Sequence, residues 1–381
     1  MNAICALLCN KAKRKASRPQ QFAVNKSIVT KQRESGMELF RILVMLAIVM
    51  HHYIINSPFM ESIMQDPLTM KSIGSSVFGM WGKVGINCFV MITGWYMCTS
   101  RITKRKYAKL LGEVMFYKVV ITVVYVALGM CTLSFGLWRD LLPVTVVGSE
   151  FVSAYLVFYL LIPFLNILIH NMGKRQHALL LLLLLGVYSL LGTGVIGVTV
   201  NYVTWFSVLY LLMAYMRLHG LPFNISHRQW GWLSVAMMAL AILLTWLVAW
   251  LSAYGGKNLE PWFFVADCNK CFSWLVALCC FMWFKGLDIS YRSWINTIAS
   301  TTFGVLLIHA NRIPCNRDWC EELFKRDEAF LSPYWWLWGF ASCVMMFSAC
   351  SVIDYLRIRI VERPYLKLYD RISKDANVSN G

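Results

Sequence analysis

The sequence predicts an all-α fold: a polytopic integral membrane protein of about ten transmembrane helices with both termini in the cytoplasm. Three observations lead there. Of the 381 residues, 58% are hydrophobic and only 14% charged, whereas soluble domains carry about a quarter of their residues as charges. Apolar runs of about 17–25 residues, the length that crosses a bilayer as a helix, recur along the chain and leave no stretch for a soluble domain. Charge is also sorted between alternate loops. The formal charge of +17, from 36 Lys and Arg against 19 Asp and Glu, would suggest nucleic-acid binding in a soluble protein. In a polytopic chain it first reports orientation, and no nucleic-acid partner is expected.

Residues 1–36, with Lys11, Lys13, Arg14, Lys15, Arg18, Lys26, Lys31 and Arg33, read as a basic, disordered cytoplasmic tail. The apolar run Ala3–Cys9 precedes these charges and is too short for a signal-peptide core. Met37 opens the first long apolar segment, so the sequence leaves open whether residues 1–36 belong to the functional chain. The membrane domain is expected over 37–370, with helices at 37–55, 77–98, 107–130, 151–170, 178–198, 201–216, 231–252, 269–284, 295–312 and 333–356, and residues 371–381 as a cytoplasmic tail. With the N-terminus inside, about 25 of the 36 basic residues fall in cytoplasmic segments and about 8 outside. Acidic residues do the reverse, about 11 outside and about 5 inside. A wrong helix count would scramble this sorting.

The 13 cysteines are no disulfide framework, because most fall inside apolar helices. Cys315 and Cys320, in an outer loop, read equally as a disulfide or as free thiols. Cys268-x-x-Cys271 lacks a second ligand pair, so no metal is expected there. The sequon Asn224-Ile225-Ser226 falls on a cytoplasmic loop and is a chance match.

Charged and polar residues inside spans are functional candidates, because each costs roughly 2.5–3.5 kcal/mol near the bilayer centre. The first helix carries Glu38, Arg41, His51 and His52. Glu38 and Arg41, three apart, can pair on one face. Eleven residues from Arg41 to His52 turn the helix about 1,100°, back to within roughly 20° of the same stripe, whereas His51 falls about 80° away. The rise sets His52 roughly 16 Å beyond Arg41, in the outer half of the membrane. Equally, these residues could be an interfacial ion pair and interfacial histidines. His309, on an outward-running helix, lies at a comparable depth, so two imidazoles from different helices could serve one site. Lys83 and Asn87 approach that level from outside, and Glu113 and Lys118 lie deeper toward the cytoplasm. Each of these four reads either as a site residue or as a structural inter-helix contact.

On the cytoplasmic side, Arg101, Lys104, Arg105, Lys106 and Lys109 place five cations within nine residues. Together they suit the phosphates of a nucleotide-bearing substrate, or they are a positive-inside anchor for anionic membrane lipid.

Several stretches together resemble the membrane acyltransferase-3 family of bacterial O-acyltransferases. Glu38-x-x-Arg41-x10-His52 is similar to the family's first-helix pattern, and Cys88–Tyr96, with Thr93-Gly94 where Ser-Gly is usual, to its second-helix ending. Ala154–Asn166 resembles the fourth helix, and Ile295–Asn311 the stretch that often ends Tyr-Leu-Ile-His, with Leu307 in the Tyr position. The resemblance covers about residues 35–370 and implies transfer of an acyl group, usually acetyl, from cytoplasmic acyl-CoA to a hydroxyl of a cell-envelope or exported glycan across a bacterial inner or cytoplasmic membrane. It implies His52 as the essential histidine, Glu38 and Arg41 as its companions, and Arg101-Ile102-Thr103-Lys104 in place of an Arg-x-x-Arg phosphate contact. Lys104 departs from that pattern, because lysine lacks arginine's bidentate fork.

This chemistry fits the residues. A cationic cytoplasmic mouth for CoA phosphates and an outer-half histidine for the acceptor hydroxyl are what donor and acceptor on opposite sides require. Histidine, with an ordinary pKa of about 6.5, can take the hydroxyl proton as a neutral imidazole. The sequence does not decide between a general base and a covalent acyl-histidine, and neither route needs a metal or a permanently bound cofactor. The competing class is a proton-coupled transporter or flippase that uses Glu38, Arg41, His52 and His309 as a relay.

Overall fold

A computed structural model describes residues 34–379 apart from 133, 146, 149, 195–197, 222–223, 256–258 and 312–325. Residues 1–33 and the loop that holds Cys315 and Cys320 lie outside the described residues. Every regular element among the described residues is helical: α1 Ser35–Ile55, α2 Pro58–Gln65, α3 Met70–Gly79, α4 Gly82–Met97, α5 Lys104–Ala127, α6 Phe135–Leu141, α7 Phe151–Asn171, α8 Lys174–Leu185, α9 Tyr202–His219, α10 His227–Gly255, α11 Cys271–Lys285, α12 Ser293–Ala299, α13 Thr302–His309, α14 Arg326–Leu331, α15 Trp335–Arg357 and α16 Arg363–Ser379. Two π-helical stretches, Gly186–Leu191 and Ile358–Glu362, extend α8 and join α15 to α16.

All ten predicted segments contain helix, and among the described residues seven helical stretches are long and apolar enough to cross a membrane. Those seven are 35–55, 70–97, 104–127, 151–171, 174–191, 227–255 and 335–373. α11 is apolar but only 15 residues long. Helix α9 carries Tyr, Trp, Arg and His, yet its Trp205, Phe206, Leu209, Tyr210, Met213 and Ala214 are completely buried. Wrapped by protein, it need not match lipid, and polarity along it is tolerated. The long helices instead turn apolar side chains outward, among them Val123 on α5, Phe164 on α7, Leu182 on α8, Leu243 on α10 and Met345 on α15. So much exposed apolar surface on many helices fits a lipid-facing belt, not a single docking patch.

The predicted helix 295–312 is not continuous. It breaks between α12 and α13, where Ser300, Thr301 and Thr302 turn their hydroxyls back onto the carbonyls of Thr297, Ile298 and Ala299 at 2.7, 2.7 and 2.9 Å. Three such side-chain bonds in a row compete with the backbone ladder and change the helix direction. The C-terminal residues expected as a tail continue the helix α16 through Ser379.

Small residues let the central helices approach closely. Gly85 of α4 sits on Ile48 of α1, where a Cβ would come within 2.7 Å of the Ile48 side chain, and Gly94 packs on Tyr210 and Met213 of α9. Ser35 Oγ accepts from the Arg292 backbone N–H at 2.9 Å and from Asn296 Nδ2 at 3.1 Å, which fixes the start of α1 against α12.

Candidate functional site

Helix α1 holds both ends of the predicted polar seam. Arg41 Nη1 donates to Glu38 Oε2 at 3.4 Å, the pair expected from a three-residue spacing. At the other end His52 leaves its own helix and meets α13: His52 Nδ1 lies 3.0 Å from His309 Nε2, and His309 Nδ1 lies 2.6 Å from the Val305 carbonyl oxygen. A carbonyl only accepts, so His309 carries its proton on Nδ1. In the neutral imidazole its Nε2 is then the acceptor, and His52 Nδ1 donates to it. The chain of bonds leaves the lone pair of His52 on Nε2.

His52 lines a cavity of about 380 Å³ together with His51, Lys83, Phe89, Glu150 and Tyr202. His309 does not line it and stands behind His52. Helical geometry put His51 off the seam, but the cavity is wider than one stripe of α1 and both imidazoles open on it, their ring centroids 5.6 Å apart. His51 Nδ1 donates to the Gly79 carbonyl at 2.7 Å. Its ring lies against Gly82, where a Cβ would fall 2.3 Å from His51 Cδ2.

Of the two candidates on α4, only Lys83 belongs to this cavity. Its ammonium donates to the Tyr202 hydroxyl at 2.6 Å and lies 3.8 Å from an Asp267 carboxylate oxygen. Asn87, completely buried, spends its amide on structure, donating to the Cys268 carbonyl and Ser273 Oγ and accepting from Trp205 Nε1. Thr93, in the second-helix stretch, lies 2.9 Å from the Tyr155 hydroxyl of the fourth-helix stretch.

The cytoplasmic cations divide. Arg105 meets Asp370 of α16, through Nε at 2.7 Å and Nη2 at 3.1 Å, and so tethers the C-terminal helix. Lys106 donates to Ser100 Oγ and the Arg101 carbonyl, and Lys109 pairs with Glu362 at 2.8 Å. Arg101 and Lys104 are exposed, and among the described residues neither meets an acidic partner.

A second charged group lies between α5 and α15. Arg357 pairs with Glu113 at 3.0 Å, Asp354 at 2.6 Å and Glu362 at 3.0 Å, and Tyr117 donates to Asp354 at 2.7 Å. All four charged residues are buried. Glu113 thus has a structural partner, and Lys118 donates to the Asp140 carbonyl at 2.8 Å. In the sequence Arg357 directly follows the apolar segment 333–356, among other basic residues. The hidden signal was Tyr117 four residues beyond Glu113 on one face of α5, but nothing local points to residue 357 as the partner.

Residues 34–355 match the family described as "Acyltransferase domain", and the chain belongs to this acyltransferase-3 family. Its apolar helices and this membership define a multi-pass membrane acyltransferase. No curated protein and no solved structure matches the chain.

Proposed function

We propose that the protein transfers an acyl group, acetyl by preference, from cytoplasmic acyl-CoA to a hydroxyl of a cell-envelope or exported glycan, in a bacterial cytoplasmic membrane crossed ten times with both termini inside. The observation that carries this is the bond chain from the Val305 carbonyl through His309 to His52, which leaves His52 Nε2 unprotonated at the wall of a cavity that also holds Lys83 and Tyr202. His52 then acts as general base. The acceptor hydroxyl gives its proton to Nε2 while its oxygen attacks the thioester carbonyl carbon. The carbon–sulfur bond breaks with its electron pair on sulfur, and the imidazolium returns the proton to that thiolate, leaving an ester and free CoA. Lys83 and Tyr202, on the same cavity wall, supply donors for the oxyanion formed on the way. His309 positions the base by fixing its tautomer. No permanently bound cofactor enters the scheme. Purified protein in detergent is expected to consume acetyl-CoA and form an acyl ester; a preparation that binds glycan but leaves acetyl-CoA intact overturns the reading.

Arg101 and Lys104 are the proposed contacts for the CoA phosphates. Replacing both with Gln is expected to raise the acyl-CoA Kd or KM by on the order of tenfold or more, since charge-assisted contacts are each worth about 1.5–3 kcal/mol. Lys104→Arg is expected to be tolerated or to tighten binding, because it supplies the bidentate fork. Binding measured at two ionic strengths checks this, as exposed phosphate contacts weaken with salt. Unchanged affinity in the double variant would leave the cluster as a lipid and topology anchor and move the donor site to Lys174, Arg175 or Arg292.

The orientation has its own test. A reporter active only outside the cytoplasm is expected to be silent when fused after Asp370 and active when fused within residues 314–332. Reversal at either site would separate the Arg101–Lys109 cluster from cytoplasmic acyl-CoA.

A further inference from the structure

Two imidazoles, not one, open on the cavity, and the second has no part in the transfer scheme above. His51 is held on three sides: its Nδ1 donates to the Gly79 carbonyl at 2.7 Å, Gly82 lies against its ring, and the Trp262 ring centroid stands 5.6 Å away. This anchoring settles the tautomer. With Nδ1 protonated, His51 Nε2 carries a lone pair, and among the described residues nothing donates to it. His52 Nε2 reaches the same state by a different route, through His309. Adjacent residues on α1 therefore place two fixed hydrogen-bond acceptors on one cavity, with ring centroids 5.6 Å apart. Rings this close can be reached one each by hydroxyls on neighbouring carbons. Fixing the His51 ring needs only its Nδ1, which leaves its Nε2 lone pair free to accept from a group held in the cavity. Phe89 and Phe151 add apolar faces to the lining, on which the C–H side of a ring can rest.

We infer that the cavity is an acceptor site for a vicinal diol, in which one hydroxyl faces His52 for transfer and its neighbour donates to His51, making His51 a specificity-determining positioning residue. The inference rests on the reading of His52 as the base and adds what the acceptor must carry. The attacked hydroxyl belongs to a ring with a second hydroxyl beside it, as in the secondary positions of a sugar, and isolated hydroxyls are disfavoured. His51 touches no reacting atom, so its loss changes which acceptor is chosen more than how fast the bond is made.

The test uses small probes in place of the natural acceptor. Purified protein in detergent is given acetyl-CoA with cyclohexanol or with cis-cyclohexane-1,2-diol, and kcat/KM is compared per hydroxyl for the unmodified protein, His51→Ala and His51→Gln. The unmodified protein is expected to favour the diol by about three- to tenfold, the factor of one neutral hydrogen bond. His51→Ala should bring the ratio close to one, and His51→Gln, whose amide oxygen can accept, should restore part of it. Equal use of both probes by the unmodified protein, a preference that survives His51→Ala, or transfer to water with neither alcohol accepted would each overturn the diol site while leaving acyl transfer intact. Failure to consume acetyl-CoA under any condition would instead overturn the acyl-transfer reading itself.

Discussion

Alanine at position 52 is expected to lower acyl transfer by about 10²–10⁴-fold, the range for loss of a positioned general base. His309 stands behind His52 outside the cavity lining, and in the proposed acceptor pose His51 faces a different hydroxyl, which leaves His52 as the base. His309→Ala should cost less, because the base survives but loses the acceptor that holds its tautomer. Part of the activity should return in His309→Gln, whose amide oxygen can accept from His52 Nδ1. The measurement is acetyl content of the acceptor in cells carrying each variant at matched membrane abundance, together with acetyl-CoA consumption by the purified proteins. Retained activity in His52→Ala, or equal loss in His51→Ala, would remove His52 from the centre of the reaction.

The second large effect concerns stability. Arg357→Ala is expected to cost about 3–5 kcal/mol, because it strands Glu113, Asp354 and Glu362 as buried carboxylates without their shared cation. Lys109, which also pairs with Glu362, is half exposed, and Lys109→Ala should cost no more than about 1 kcal/mol. Lysine at 357 should fail to rescue, since one ammonium cannot fork toward three carboxylates as the guanidinium does. Gly304→Ala should be comparably damaging from the other side, as a Cβ there would lie 2.1 Å from Asp354 Cγ, with Asp354 fixed by both Tyr117 and Arg357. Thermal unfolding in detergent and the yield of inserted protein report both. Equal stability of the Arg357 and Lys109 variants would show that the buried group does not hold α5 to α15.

That group also shows why its members escaped the sequence. Arg357 and Glu362 are five residues apart, which on an α-helix puts them about 140° from one another. The π-helical stretch Ile358–Glu362 closes that angle and brings Arg357 Nη1 to 3.0 Å from Glu362 Oε2. A reading built on 3.6 residues per turn has no access to such a pair. The same limit applies to Arg105: five cations in a short run cannot be told apart until α16 folds back and Asp370 takes one of them.

By itself the sequence determined the membrane class, the apolar segments in which the long helices lie, the Glu38–Arg41 pair and the return of His52 to the Arg41 stripe, because composition and helical period act within a single segment and need no neighbour. It also set His52 and His309 at similar depth, since rise per residue measures distance across the bilayer. Only the tertiary structure decided that those two imidazoles touch, which nitrogen of His52 keeps its lone pair, that His51 shares the cavity wall, and that Arg357 gathers three carboxylates. Each of these depends on which face of one helix meets which face of another. That choice is made by close packing at positions such as Gly82, Gly85 and Gly304, among residues as far as 257 apart in the chain.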